Sequence, residues 1–233
     1  MSQYPITLSI AQNQRNAQIS SGEGADKQPS LSLEIRQKIL TRDDHTCQMC
    51  KFRSQKYQDI HFVDGNTENL QVNNMITACI YCHQCFDLEK VAEMRSGVLI
   101  WLPEIQQTDL HHIARAIYVA RISQGSMAET AKAALETLMG RREALKERLH
   151  TDDPEVLAMV MRDYLGPRHY AMRNKKLEGV RLFPLDRRII KEGDLEFNQF
   201  PQILAYWRSK DGPFGGKIPS QWKKFYAEIS QAA

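Results

Sequence analysis

All five cysteines of the chain lie between positions 47 and 85, and no other feature restricts the fold as much. Two residues separate Cys47 from Cys50 and Cys79 from Cys82, and 28 residues lie between the pairs. Even, dispersed cysteines suggest disulfides. Clustered pairs in a chain that opens without a basic and then an apolar signal segment read instead as metal ligands, because the thiols of a cytoplasmic protein stay reduced. Two such knuckles can converge on one tetrahedral ion, and four thiolates suit zinc, whose filled d-shell imposes no geometry and whose closed sites contribute folding energy. The expectation is one structural Zn2+ held by Cys47, Cys50, Cys79 and Cys82. The run CIYCHQC also allows Cys82 with Cys85, or Cys85 as a free core thiol. The 79/82 pair is favoured because the second cysteine of a knuckle normally opens the following helix, here continuing through Phe86 to Val91.

The rest of the chain is organised around this module. A length of 233 residues, 42% apolar and 25% charged, is that of a globular protein of one or two domains. The longest apolar stretch, Val156 to Met161, is far shorter than the roughly 20 residues that cross a bilayer. Residues 11 to 30 include twelve Gln, Asn, Ser, Gly or Pro, too polar to bury a core, so residues 1–30 are expected to form a flexible tail. Within it, YPITLSI has a short β-like pattern that fits either a tail or a strand at a sheet edge. Leu31, Ile35 and Ile39 recur with helical spacing and open a zinc-binding module over 31–95. GVLIWLPE then reads as a buried strand or an extended connector. A mostly helical region over 96–233 completes an α+β chain, with helix starts predicted at Thr108, at a Ser126/Glu129 capping box, at Asp153-Pro154 and at Ser220. Residues 168–200 lack clean periodicity and read as loop with short strands.

The segments RDDHTCQMC and IHFVDGNTENLQVNNMITACIYCH resemble, in order and spacing, the ββα-metal module of HNH endonucleases. That family holds a structural zinc in its knuckles and a catalytic divalent ion between strand and helix. The resemblance places His61 at the strand ligand, Asn74 at the loop-orienting asparagine and His83 at the helix ligand. Phe62 stands where the family has its general-base histidine. A phenyl ring can neither accept a proton nor orient water, and that help is worth roughly 10²–10⁴ in rate. His45 and Asp64 are poor substitutes, and Lys51 replaces the glycine usual after the first knuckle. The implied module is an HNH-like ββα scaffold without nuclease chemistry.

The same module followed at once by GVLIWLPE and a helix carrying His111-His112 is similar to the IcmJ/DotN family of the Dot/Icm type IVB secretion system. The likeness runs from about Leu31 to residue 125. It implies a non-catalytic, cytoplasmic adaptor of the coupling complex. Such an adaptor would bind the C-terminal extension of the coupling ATPase DotL, beside other coupling-complex subunits, at the inner membrane. The alternatives are a metal-dependent HNH nuclease with an unusual base, and a nucleic-acid-binding module. Phe62 speaks against the first, and the modest net charge of +3 against the second.

Two features of the second half bear on partners. Residues 168–191 carry eight basic and two acidic residues, a net +6 that leaves the remainder at −3. Arg187 and Arg188 are the candidate contacts from this segment. Eight aromatics fall between 197 and 226; most are expected in the core, with Trp207 and Trp222 as candidate partner anchors. Adjacent side chains on a helix point about 100° apart, so His111 and His112 are not read as a chelating pair.

Overall fold

The computed structural model describes residues 4–11 and 31–232. Helix α1 (Leu33–Arg42) starts at Ser32, whose Oγ accepts from the Ile35 N–H at 3.3 Å, and it buries Ile39 and Leu40. At its end Arg42 forms a two-pronged pair with Asp43 (2.7 and 3.0 Å) and donates to the carbonyls of Val72 and Met75. Asp43 also accepts from the Thr77 N–H at 2.8 Å. These charge-assisted bonds clip α1 to the strand that carries Thr77.

Strands β1 (Gln58–Phe62) and β2 (Met75–Cys79) pair antiparallel, with Gln58 opposite Cys79 and Phe62 opposite Met75. Alternation along β1 sends Ile60 and Phe62 to Ile39, Leu40 and Met75, and turns Asp59 and His61 to the other face. Strand β2 is buried at every position and leads directly into α2 (Ile80–His83), with α3 (Leu88–Glu93) beyond.

The GVLIWLPE run forms β3 (Gly97–Trp101), and its partner is distant in sequence: β4 (Val180–Pro184), with Val98 opposite Phe183. The intervening chain is helical, as α4 (Gln107–Arg121), α5 (Ser126–Leu149), α6 (Pro154–Met159), a π turn (Val160–Tyr164), α7 (Pro167–Ala171) and α8 (Arg173–Lys176). A hairpin of β5 (Ile189–Glu192) and β6 (Leu195–Asn198) follows, then α9 (Phe200–Arg208) and α10 (Trp222–Ala232). Helices combined with three separate two-stranded antiparallel sheets make the described residues an α+β fold. None of these helices is long and apolar enough to cross a membrane.

Several helix starts differ from those expected. Asp153 caps α6 by accepting from the Glu155 N–H, as its sequence suggests. Thr108 instead lies inside the first turn of α4, which begins after Gln106. Gly125 occupies the cap position of α5, so Ser126 is already helical and no capping box forms. Ser220 sits in a 3₁₀ turn ahead of α10. Helix α9, which the sequence does not mark with a cap, buries Phe200, Ile203, Leu204 and Trp207.

The tail expected over 1–30 requires a correction at residues 4–11. The Ser9 N–H donates to the Cys85 carbonyl and the Leu88 N–H donates to the Ser9 carbonyl, both at 3.0 Å. Arg173 Nε donates to the carbonyl of Leu8, whose side chain is buried together with that of Ile10. Residues 12–30 of that expected tail lie outside the described residues.

Packing does not break near residue 95. One apolar cluster joins the cysteine knuckles to β3, α4 and α9, through Cys47, Cys79, Ile100, Leu110, Phe183 and Trp207 among others. A second joins Leu8, Ile10, Cys85, Leu88, Leu99, Leu145, Met161 and Leu182. Gly179, just before β4, has φ +86°, and a Cβ there would lie 2.6 Å from the Trp101 ring. Gly179→Ala is therefore expected to cost about 2–4 kcal/mol, from a left-handed alanine plus forced displacement of the indole. Gly140→Ala, inside α5 with open space around it, is expected to gain about 1 kcal/mol. Denaturant midpoints of the two variants check the pair.

Candidate metal centre

The two knuckles meet because the strand pairing brings them together. The first is a tight loop, with Cys47 N–H donating to the Phe52 carbonyl and Lys51 N–H to the Cys47 carbonyl. Lys51 there takes φ +62°, which accounts for the glycine expected at that place. The Gln48 N–H donates to the Thr77 carbonyl at 2.8 Å, tying this loop to β2. The second knuckle is the junction of β2 and α2, where Cys79 is the N-cap and its Sγ accepts from the Cys82 N–H at 3.4 Å.

The sulfurs of Cys47, Cys50, Cys79 and Cys82 all lie within 4.8 Å of one another, and all four residues are buried. Cys50 and Cys79 sulfurs are 3.6 Å apart, close to the ~3.8 Å edge of a tetrahedron with ~2.3 Å metal–sulfur bonds. No disulfide joins any of them. Burial opposes ionisation of Cys79, yet hydrogen bonds from the other three thiols and the nearby Arg115 charge hold it well below its ordinary value. Burial, and then Cys47, Cys50 and Cys79 around it, push the Cys82 thiol up. Four thiols this close cannot all ionise without a cation among them, and a divalent ion is what makes four thiolates compatible. The donor set and its spacing fit such an ion. Among the described residues, this is the one group of three or more such ligands close enough to share a metal. Cys85 stands outside it, buried, with its sulfur 3.8 Å from His111 Nε2.

His61 and His83 come together in a separate cleft of about 500 Å³, lined also by Phe62, Asp59, Phe86 and Arg188, whereas Asn74 is not among its lining residues. The His61 ring lies on Phe86 at 4.2 Å and edge-on to His83 at 5.8 Å. Burial, and then the His83 charge, push His61 down to about 3, so it is neutral near pH 7. His83 Nδ1 is 3.8 Å from Asp59 Oδ2, and Arg36 is 3.4 Å from the other oxygen. Asn74 holds the loop between the strands: its Oδ1 accepts from the Asp64 N–H at 3.0 Å, and its Nδ2 donates to Asp64 and to the Asn69 carbonyl. Asp64, considered as a substitute base, accepts from Asn66, Asn69 and Asn74 within that loop.

The candidate partner residues separate. Trp207 is 1% exposed and sits edge-on to Tyr81, Phe52 and Phe200. A side chain with no free surface cannot anchor a partner, so Trp207 is corrected to a core residue. Trp222 is half-buried and stacked on Phe214 at 5.8 Å, with Tyr226 exposed beyond it. Arg187 is exposed, whereas Arg188 is half-buried and lines the cleft.

Sequence reasoning missed the contribution of α4. His111 is fully buried with Nδ1 3.3 Å from Cys82 Sγ, Arg115 Nη2 is 2.7 Å from Cys79 Sγ, and His112 Nε2 is 2.7 Å from the Cys50 carbonyl. The available signal was polar residues at 107, 111 and 115, four apart, beside the apolar Leu110, Ala114 and Ile117.

The fold and this centre define the class: an α+β protein organised around four buried cysteines with the donor set of a closed metal site. No protein-family model matches the chain. It is similar to the type 4 apparatus protein DotN of Legionella pneumophila, 33% identical over 152 residues that cover 64% of this chain and 71% of DotN. The chain belongs to the DotN (IcmJ) family.

The four-cysteine set predicts that Cys79→Ser loses bound metal by elemental analysis and unfolds the knuckles. Cys85→Ser is expected to retain wild-type metal content, about one ion per chain.

Proposed function

We propose that this protein is a non-catalytic, zinc-stabilised adaptor of a type IVB secretion coupling complex, where it binds the C-terminal extension of the coupling ATPase DotL. Membership of the DotN family is the observation that carries the reading. Cys47, Cys50, Cys79 and Cys82 would hold the ion. Zinc bound by four thiolates has no open position and supplies cross-linking rather than chemistry. The order β1, β2, α2 with the knuckles at its ends supports an HNH-like scaffold over 31–95, extended by the helical region 96–233. The proposed location is cytoplasmic, held at the inner membrane through the complex.

The absence of catalysis rests on the cleft. Phe62 occupies the general-base position and packs on the Ile39–Met75 cluster. His61 packs tilted against Phe86 instead of being paired with a group that would orient it. Of the two surfaces available to DotL, the C-terminal one keeps Trp222 and Tyr226 after Trp207 is withdrawn, and the cleft keeps concavity. An amphipathic segment laid on either would draw affinity from apolar anchors and association rate from rim charges such as Arg187.

A peptide spanning the DotL C-terminal extension is expected to bind the full-length protein in calorimetric titration. Trp222→Ala with Tyr226→Ala is expected to weaken it at least tenfold. No binding to the intact protein would remove DotL as partner, and undiminished binding by the double variant would move the site to the cleft. Incubation with plasmid DNA and magnesium, manganese or nickel is expected to give no cleavage. Cleavage abolished by His61→Ala would make the chain a nuclease.

A further inference from the structure

We propose that Gln107, His111 and Arg115 on α4 form an outer hydrogen-bonding shell of the four-cysteine centre, with His111 and Arg115 acting as positioning residues for the thiolates of Cys82 and Cys79. The inference rests on reading that centre as a metal site.

The three residues follow one another at four-residue intervals, and so lie along one side of α4, each of them buried. Their hydrogen bonds have a defined direction. The Leu182 N–H donates to Gln107 Oε1 at 2.9 Å, and Gln107 Nε2 donates to the Leu182 carbonyl at 2.7 Å. The N–H and carbonyl of one β4 residue thus fix which end of the amide is nitrogen. That nitrogen is also 2.8 Å from His111 Nε2. An amide nitrogen only donates, so His111 Nε2 accepts, and the proton of a neutral imidazole must be on Nδ1. Nδ1 lies 3.3 Å from Cys82 Sγ, which makes the contact an N–H···S bond running from β4 through Gln107 and His111 to the sulfur.

Arg115 approaches the next cysteine of the same knuckle. Its Nη2 is 2.7 Å from Cys79 Sγ, and its guanidinium lies over Phe52 at 4.0 Å and Tyr81 at 4.8 Å. Its Nε and Nη1 have no hydrogen-bond partner, and among the described residues no carboxylate pairs with it. Arginine keeps its charge in any protein environment, and a buried cation needs a counter-charge. Four thiolates around a divalent ion leave a formal excess of two negative charges, and Arg115 is placed to offset one of them. The aromatic rings around it supply further attraction without adding charge. Partners of this kind are typically worth 10–100-fold in metal affinity. Their position on α4 also links metal occupancy to the seating of α4 and Trp207, since a centre without metal would leave Arg115 with less opposing charge.

The test uses the full chain loaded with cobalt(II), whose thiolate charge-transfer bands report on the sulfurs, and competition against a chromogenic chelator. Arg115→Met is expected to weaken metal binding 10–100-fold, shift the charge-transfer bands and speed thiol alkylation, with Arg115→Lys intermediate. His111→Leu is expected to act likewise at Cys82, and His111→Asn, whose amide nitrogen can take the place of Nδ1, to recover most of the loss. Variants that bind cobalt with wild-type affinity and spectrum would overturn the shell even if their melting temperature fell. A measurement on the unaltered protein needs no variant to fold: the long-range 1H–15N spectrum of the zinc-loaded chain should show His111 protonated at Nδ1, and protonation at Nε2 would overturn the assignment. Failure of the unaltered chain to take up zinc or cobalt would instead defeat the metal reading on which the shell depends.

Discussion

Four sulfur atoms held within 4.8 Å of one another inside the fold impose a condition that the surrounding structure has to meet. They repel when ionised and stay protonated when merely buried, so the knuckles keep their shape only if opposite charge is supplied. The backbone brings the sulfurs together through the β1–β2 ladder and the bond from Gln48 to Thr77. The helical half then presses its own polar groups against them, through His111, His112 and Arg115. The cysteine module and the helical region therefore share one apolar cluster and one electrostatic problem.

The polar groups around the cleft beside this centre are engaged in local contacts. Asn74 anchors the loop between β1 and β2, and the rings of His61 and His83 meet edge-on. His61 also packs tilted against Phe86, and Asp59 is drawn between Arg36 and His83.

How much of this was legible in the sequence depended on the range of the interactions involved. The two cysteine pairs were legible because each knuckle is a local turn with a fixed two-residue spacing, and their convergence needs only a hairpin between them. The β3 run was legible as buried, but its partner β4 was not, because pairing across so long a separation leaves no local trace. Trp207 read as a surface anchor because composition alone does not distinguish a core aromatic from an exposed one; its burial follows from α9 packing on α4, which no single window contains. The segment 4–11 read as tail because its order is conferred by Cys85, Leu88 and Arg173, all distant in sequence. The polar stripe on α4 is present in the sequence as Gln107, His111 and Arg115 at four-residue spacing, but nothing local to it shows that it faces the cysteines.

The pairing of β3 with β4 has a consequence for the order in which the chain can acquire its structure. Val98 finds Phe183, and Leu99 finds Leu182, only after five helices and a π turn have been made between them. During synthesis the knuckles, built from contacts within positions 46 to 82, can close while GVLIW is still an apolar strand without a neighbour. Such an edge invites pairing with other chains until its own partner arrives. The same late strand carries Leu182, whose peptide groups orient Gln107. The strand that docks on β3 thus also fixes the amide that faces His111, so closing this sheet and aligning that side of the sulfur centre are one event.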